Sequence, residues 1–192
     1  PKIFRELGAD LTEIFCDVDG TFPNHHPDPT VPENLTELIK TVQDDNFDCG
    51  IAYDGDADRV GVIDENGQVI WADMLMALIL PEIVEPGDEV LFDVKCSQAL
   101  EEEIVRLGGK PVIWKTGHSL IKQKMKELGC RFGGEMSGHL FFADDYFGYD
   151  DAIYVSARIV QMLSRQNKTL SELVANLPQY VSTPEMRLDC PD

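Results

Sequence analysis

The chain has 192 residues, 43% of them hydrophobic, with 16 Lys+Arg against 35 Asp+Glu and a formal charge of −19. That is length for one large or two small domains with a real core, and the charge argues against nucleic acid or an anionic membrane as partner. No run approaches the roughly 18 apolar residues of a membrane span, no signal-peptide pattern opens the sequence, and the five cysteines (16, 49, 96, 130 and 190) are odd in number, scattered and without a Cys-x-x-Cys, as expected of a reducing cytoplasm.

In chain order, Lys2–Leu7 reads as the end of a helix with Gly8 past its last turn, and Glu13–Cys16 as a strand. Asp17–Pro32, rich in Pro, Asp, Asn and His, reads as a long loop. Pro32 opens a helix with Leu35, Leu38, Ile39 and Val42 on one face. Two short apolar strands, Cys49–Tyr53 and Val60–Ile63, flank Asp54-Gly55-Asp56-Ala57-Asp58-Arg59, and Asp64–Gly67 is a hairpin-type turn leading to Val69–Trp71. A helix over Asp73–Val84 follows. The second set alternates: strand Val90–Val94, helix Ser97–Leu107, strand Pro111–Trp114, helix His118–Leu128, strand Arg131–Gly133, strand Leu140–Phe142, and a helix to Ser164 capped by Asp150-Asp151. The residues after Pro178 read as a linker. The alternation predicts an α/β fold of two consecutive units, each a mixed β-sheet packed by helices, over residues 1–68 and 69–180, with 181–192 leading onward.

The charges are unevenly placed. From Thr41 to Val94 the only basic residue is Arg59, against 14 acids, whereas eight of the 16 basic residues fall between Lys95 and Arg131. An acidic, metal-suited segment followed by a basic one suits a phosphorylated small molecule bridging the two. A plain reading of Lys110, Lys124 and Lys126 is a solvated helix face.

Asp54, Asp56 and Asp58 are spaced at i, i+2 and i+4, so adjacent anions would repel unless a cation sits among them. Oxygen-only donors point to a hard ion such as magnesium or calcium, and Arg59 sets a fixed positive charge beside it. A calcium EF-hand loop is excluded, because Arg59 stands where that loop needs Gly and the flanks are strands. Lys115-Thr116-Gly117-His118-Ser119, between a strand and a helix, is either a phosphate-binding helix N-terminus or plain capping. Gly134-Glu135-Met136-Ser137-Gly138-His139 is a glycine-hinged loop whose Glu135 and Ser137 can bind sugar hydroxyls and whose His139 can move a proton. Its plain alternative is a turn with incidental polar residues. Lys95 closes an apolar strand, where α/β sheets bind ligands. Ile14–Thr21 imitates the nucleophile strand of haloacid-dehalogenase phosphatases, with Asp17 as phosphoryl acceptor, but a proline-stiffened loop follows it directly.

Asp19–Pro29, Asp54–Arg59, Phe92-Asp93-Val94-Lys95, Lys115–His118 and Gly134–His139, in this order and spacing, resemble the motifs of the α-D-phosphohexomutases, most closely the bacterial phosphomannomutase/phosphoglucomutase group. The resemblance implies the latter part of that family's second domain, its third domain and the lead into its fourth. It also implies a magnesium enzyme that interconverts hexose 1- and 6-phosphates through a phosphoserine and a hexose 1,6-bisphosphate. Carried over, Asp54, Asp56 and Asp58 resemble the metal ligands, and Arg59 the arginine steadying the serine phosphate. Lys95, Thr116, Gly117 and His118 resemble substrate contacts, Glu135 and Ser137 the sugar-reading loop, and His139 a proton-transfer residue. The family's Thr-x-Ser-His-x-Pro motif occurs nowhere in the 192 residues, nor does its Arg/Ser/Thr-rich phosphate-binding loop. The chain is therefore expected to need the family's first and fourth domains for turnover and to be inactive alone. Amino-sugar phosphate mutases are near rivals within the family. A phosphatase using Asp17 and a non-catalytic module that holds magnesium and a sugar phosphate are the rivals outside it.

Overall fold

The computed structural model describes residues 1–181. Helix α1 (Lys2–Glu6) is followed by coil to Val31, then by a 3-10 turn (Pro32–Leu35) that runs into α2 (Thr36–Asp45). Asn46, in the left-handed region at φ 54°, ends α2. Strands β1 (Cys49–Tyr53), β2 (Val60–Asp64) and β3 (Val69–Ile70) form a sheet in that order, antiparallel throughout, with Ile51 opposite Val62 and Val62 opposite Ile70. The hairpin turn is closed by Asp64 Oδ1, which accepts from the amides of Asn66 and Gln68. Val69 and Ile70 thus belong by hydrogen bonding to the first sheet, although the sequence reading began the second unit there. All five residues of β2 are buried, because α2 covers one face of the sheet and Val60 and Val62 enter the core of the second unit on the other.

Helix α3 (Ala72–Ile83) is apolar nearly all round and buries eight side chains, as a helix clad on every side must. After it come β4 (Glu89–Asp93), α4 (Gln98–Arg106), β5 (Lys110–Trp114), α5 (His118–Leu128), β6 (Phe132–Gly134), β7 (Leu140–Phe142), α6 (Ala152–Ser164) and α7 (Leu170–Val174). The sheet order is β5-β4-β6-β7, with β4 parallel to β5 and β6, and β7 antiparallel. Alternation along the strands sends Val90 and Phe92 into a core with α3, α4 and α6, and Leu91 into a second core with Ile121 and Met125 of α5. Each such fully buried Leu or Phe contributes roughly 1.5–3 kcal/mol. Because β4, β5 and β6 run parallel, their C-terminal ends open on one edge, and the loops leaving that edge carry the second unit's candidate site residues.

Two expectations are corrected. Glu13–Cys16 is not a strand: it pairs with nothing among the described residues, and Phe15 takes a left-handed φ of 52° with its ring exposed. Two apolar residues in a row carried the strand reading, and an unpaired strand has no ladder to satisfy its backbone. With it goes the phosphatase reading, since Asp17 stands in exposed coil rather than at the end of a buried strand. The sequence reading also lacked α7, which carries its own capping box between Thr169 and Glu172. Residues 182–192, including Cys190 and most of the expected linker, lie outside the described residues.

Candidate active site at the junction of the two sheets

At the C-terminal edge of the second sheet a buried carboxylate ties three loops together. Asp93, 1% exposed at the end of β4, accepts from Cys96 Sγ (3.1 Å) and the Met136 amide (3.2 Å) through Oδ1, and from Thr116 Oγ1 (3.0 Å) through Oδ2. Glu135, equally buried, accepts from the Gly117 amide at 2.5 Å. Burial pushes its carboxyl above the ordinary range, with the Gly117 hydrogen bond opposing. Lys95 lies on the exposed turn two residues beyond Asp93, and Ser137 is half-buried at the tip of the Glu135–His139 turn.

The acidic loop leaves β1 at Asp54, which is buried and serves the loop itself. Its Oδ1 accepts from the amides of Asp58 and Arg59 (both 3.1 Å), and its Oδ2 from Arg59 Nε (2.8 Å). Arg59 Nη1 reaches on to Asp28 Oδ1 at 3.0 Å, so the proline-rich loop braces the acidic one. Burial alone would raise the Asp54 carboxyl; hydrogen bonds from the Arg59 side chain and amide and from Asp58, with the Arg59 charge, outweigh it and hold Asp54 below its ordinary value. Asp58 goes the other way, pushed up to about 6 by burial and by the neighbouring carboxylates of Asp54, Asp56 and Asp150. Asp54, Asp56 and Asp58 each offer an oxygen within 4.8 Å of the other two. An oxygen-only donor set whose third carboxyl resists ionisation for want of positive charge fits a hard dication.

Two backbone hydrogen bonds lock this loop to the second unit. The Val60 amide donates to Gly138 O (3.1 Å), and the Ala152 amide at the start of α6 donates to Ala57 O (3.0 Å). Gly138 is required there: at φ +101° a Cβ would stand 2.7 Å from Val60 O. The clamp brings His139 against the acidic loop. His139 Nδ1 is 3.7 Å from Asp58 Oδ2 and 3.1 Å from Asp150 Oδ2. The ring of His118 stacks on that of His139 (5.2 Å between centroids, 28°) and its Nδ1 lies 3.0 Å from the same Asp150 oxygen. Lys122 Nζ holds the other oxygen of Asp150 at 2.7 Å. Burial lowers the His139 pKa below its ordinary value, although Asp150 and Glu135 pull the other way. A neutral ring that keeps its proton on the Nδ1 facing these carboxylates would present the Nε2 lone pair.

The structure therefore brings Asp54, Asp56, Asp58, Arg59, Thr116, Gly117, His118, Glu135 and His139 to one junction, and places Lys95 and Ser137 on loops that leave the same edge. Sequence reasoning missed Asp28, Lys122 and the role of Asp150. Asp150 was read as half of a helix cap, but Asp151 alone caps α6, accepting from the Ile153 and Tyr154 amides. Lys122 had a signal: it lies four residues after His118, on the same face of α5.

Residues 1–67 match the family domain described as "Phosphoglucomutase/phosphomannomutase, alpha/beta/alpha domain II", and residues 71–181 the corresponding domain III. The chain is 47% identical over 190 residues to the phosphomannomutase/phosphoglucomutase of Pseudomonas aeruginosa, covering 98% of itself and 41% of that protein. To the phosphoglucomutase of Neisseria meningitidis it is 46% identical over 193 residues, covering 42% of that protein. The solved structure of a phosphoglucomutase/phosphomannomutase family protein from Burkholderia thailandensis superposes with a TM-score of 0.90 at 44% identity, over 95% of this chain and 40% of that one. The chain thus spans about two fifths of the curated relatives it matches. With two consecutive domains matched in order along the described residues, this chain belongs to the phosphoglucomutase/phosphomannomutase family.

Proposed function

We propose that the chain is the metal-holding and sugar-facing part of an enzyme that moves a phosphoryl group reversibly between the 1- and 6-positions of glucose and mannose through a hexose 1,6-bisphosphate. The observation that carries this is the clamp that sets His139 3.7 Å from Asp58, so that a proton-handling ring and a cation site adjoin. Asp54, Asp56 and Asp58 would hold magnesium, which supplies positive charge for the transferring phosphoryl oxygens. Arg59, fixed by Asp54 and Asp28, adds a charge that does not titrate. His139, neutral with its Nε2 lone pair available, takes the proton of the attacking sugar hydroxyl, and the charge of Asp150, 3.1 Å from its Nδ1, favours the imidazolium that forms. Lys95, Thr116, Gly117 and His118 line the route of the sugar phosphate, and Glu135 and Ser137 read its hydroxyls. Support for the ligand class comes from a fold neighbour: the N-acetylphosphoglucosamine mutase of Aspergillus fumigatus (TM-score 0.52, 17% identity, over 67% of this chain and 35% of that one) is described in complex with GlcNAc-6P and magnesium.

The phosphoserine and the remaining phosphate-binding residues are assigned to parts of the parent enzyme beyond these 192 residues, and the reaction to a reducing cytoplasm. The test is a coupled mutase assay of the parent reading frame with glucose 1-phosphate and mannose 1-phosphate, with magnesium and a bisphosphate activator, beside Asp56→Ala. Turnover of both sugars, lost in the variant, is expected. Turnover by the 192-residue chain alone, or full activity of Asp56→Ala, overturns the reading. Turnover confined to amino-sugar phosphates overturns the assignment of the sugar.

A further inference from the structure

Beside the oxygen-only loop lies a second group of donors with a different chemistry. Asp58, His118, His139 and Asp150 each present one ligand atom within 4.8 Å of the other three. The second observation is an orphan: Nδ1 of His139 is fully buried and makes no hydrogen bond of acceptable geometry, despite standing 3.1 Å from Asp150 Oδ2 and 3.7 Å from Asp58 Oδ2. We propose that these four residues form a distinct site for a transition-metal dication of the zinc type, sharing only Asp58 with the loop that suits magnesium.

The geometry is close to what such an ion needs. Bonds of about 2.0–2.1 Å to nitrogen and oxygen in a tetrahedron imply ligand-to-ligand edges of about 3.3–3.4 Å. The three known edges are 3.0 Å (His118 Nδ1 to Asp150), 3.1 Å (His139 Nδ1 to Asp150) and 3.7 Å (His139 Nδ1 to Asp58), which bracket that length. The two rings stack at 28°, and both Nδ1 atoms lie within 3.1 Å of the same Asp150 oxygen. Two carboxylates and two neutral imidazoles balance a dication, and the two nitrogens select zinc, cobalt or nickel over magnesium or calcium. Lys122, on the far oxygen of Asp150, leaves Oδ2 facing the two imidazoles but adds an opposing charge.

Binding has a definite consequence. The metal takes the Nδ1 lone pair of each ring, the Nδ1 proton moves to Nε2, and no net proton is released. His139 then presents an N–H where it had presented a lone pair. Occupancy of this site would therefore silence proton abstraction and draw the shared Asp58 away from the cation loop.

The experiment uses the 192-residue chain. Cobalt(II) is added first, then displaced by zinc, with the visible absorption recorded, and zinc and magnesium affinities are measured separately by competition and calorimetry. Intense bands of a four-coordinate cobalt centre, bleached by zinc, are expected. His118→Ala and His139→Ala should each weaken zinc at least about tenfold while leaving magnesium unchanged, and Lys122→Met should tighten zinc. Asp56→Ala should do the reverse of the histidine variants, weakening magnesium and sparing zinc. Imidazole nitrogen NMR of the unmutated chain keeps the test decisive should a variant fail to fold: zinc should move Nδ1 of both rings from protonated to metal-bound positions. Weak octahedral cobalt bands, zinc affinity unmoved in both histidine variants, or unshifted imidazole nitrogens overturn the proposal. None of these outcomes bears on the mutase reading, which the magnesium affinity and the parent enzyme's turnover test on their own.

Discussion

The acidic loop of the first unit and the Glu135–His139 loop of the second are both short, glycine-hinged and charged, yet they are held in opposite ways. The acidic loop is largely its own scaffold. Asp54 satisfies two amides of the loop and the Arg59 side chain within six residues of sequence. The Glu135–His139 loop closes its own neck by backbone hydrogen bonds, but its side-chain ties reach outside it: Asp93 takes the Met136 amide from 43 residues away, and Glu135 spends an oxygen on Gly117, 18 residues away. A self-scaffolded loop keeps its shape wherever it is put. A loop held by distant partners keeps its shape only while the sheet edge beneath it is intact, so it can report on the state of its neighbours.

The comparison is broken most severely at the atom the two loops share. Asp58→Asn removes a charge from the cation loop and a neighbour of His139 without changing shape. In the parent enzyme it should lower kcat about 100- to 1000-fold, the scale of losing one charge-stabilising group, and calorimetry should find magnesium binding lost. Retained magnesium affinity would mean that Asp58 belongs to the histidine side alone.

Next in size is the clamp. Gly138→Ala places a Cβ 2.7 Å from Val60 O at a φ of +101°, and strain of this kind costs of order 1–3 kcal/mol. Urea unfolding should show the full loss, and the amide of Val60 should exchange faster. A change confined to the second unit would show that the clamp does not couple the sheets.

Smaller again is the brace on the acidic loop. Asp28→Ala leaves Arg59 with Asp54 as its carboxylate partner among the described residues and frees the Thr30 hydroxyl, a loss of about 1–2 kcal/mol for a half-buried, charge-assisted contact. Because Asp54 still holds the loop, magnesium affinity should move little. A collapse of magnesium binding in this variant would refute self-scaffolding.

The same contrast decides what could be read from the sequence. The acidic loop was legible because its determinants are adjacent: three carboxylates and a guanidinium in six residues, between two strands whose periodicity shows. Several alternating elements of the second unit were legible for the same reason, as where α5 stops at Gly129, left-handed at φ 71°. Asp93, Asp150 and Asp28 were illegible in their roles because each acts across 23 to 43 residues, through Thr116, Met136, Lys122, His118 or Arg59. Nothing local separates a buried aspartate that ties loops from a cap beside it. The false strand at Glu13–Cys16 fails by the same logic, since a strand is defined by its partner and not by its own residues.

The smallest effect is also the one that separates the two loops by pH. The Asp58 carboxyl is pushed up to about 6 from an ordinary 3.8, burial first and its acidic neighbours after. Its folded value lies above its unfolded one, so the folded chain favours the protonated form. The stability this gives is complete below 3.8 and is lost as pH rises through about 6. Solvent screening of a partly exposed group brings the loss to about 1 kcal/mol. Magnesium, by drawing the proton off, should abolish the slope, and calcium should do so less well if the loop demands tight octahedral geometry. Asp54, held below its ordinary value, has the opposite sign: its contribution persists at neutral pH and is lost only in acid. Chemical denaturation between pH 4 and 7 of the chain beside Asp58→Asn, with and without magnesium, should therefore give a stability difference between the two that falls with pH and that the metal flattens. A difference that rises over this range without magnesium would mean that Asp58 is ionised in the folded chain and that the charge balancing it comes from the histidine side of the junction.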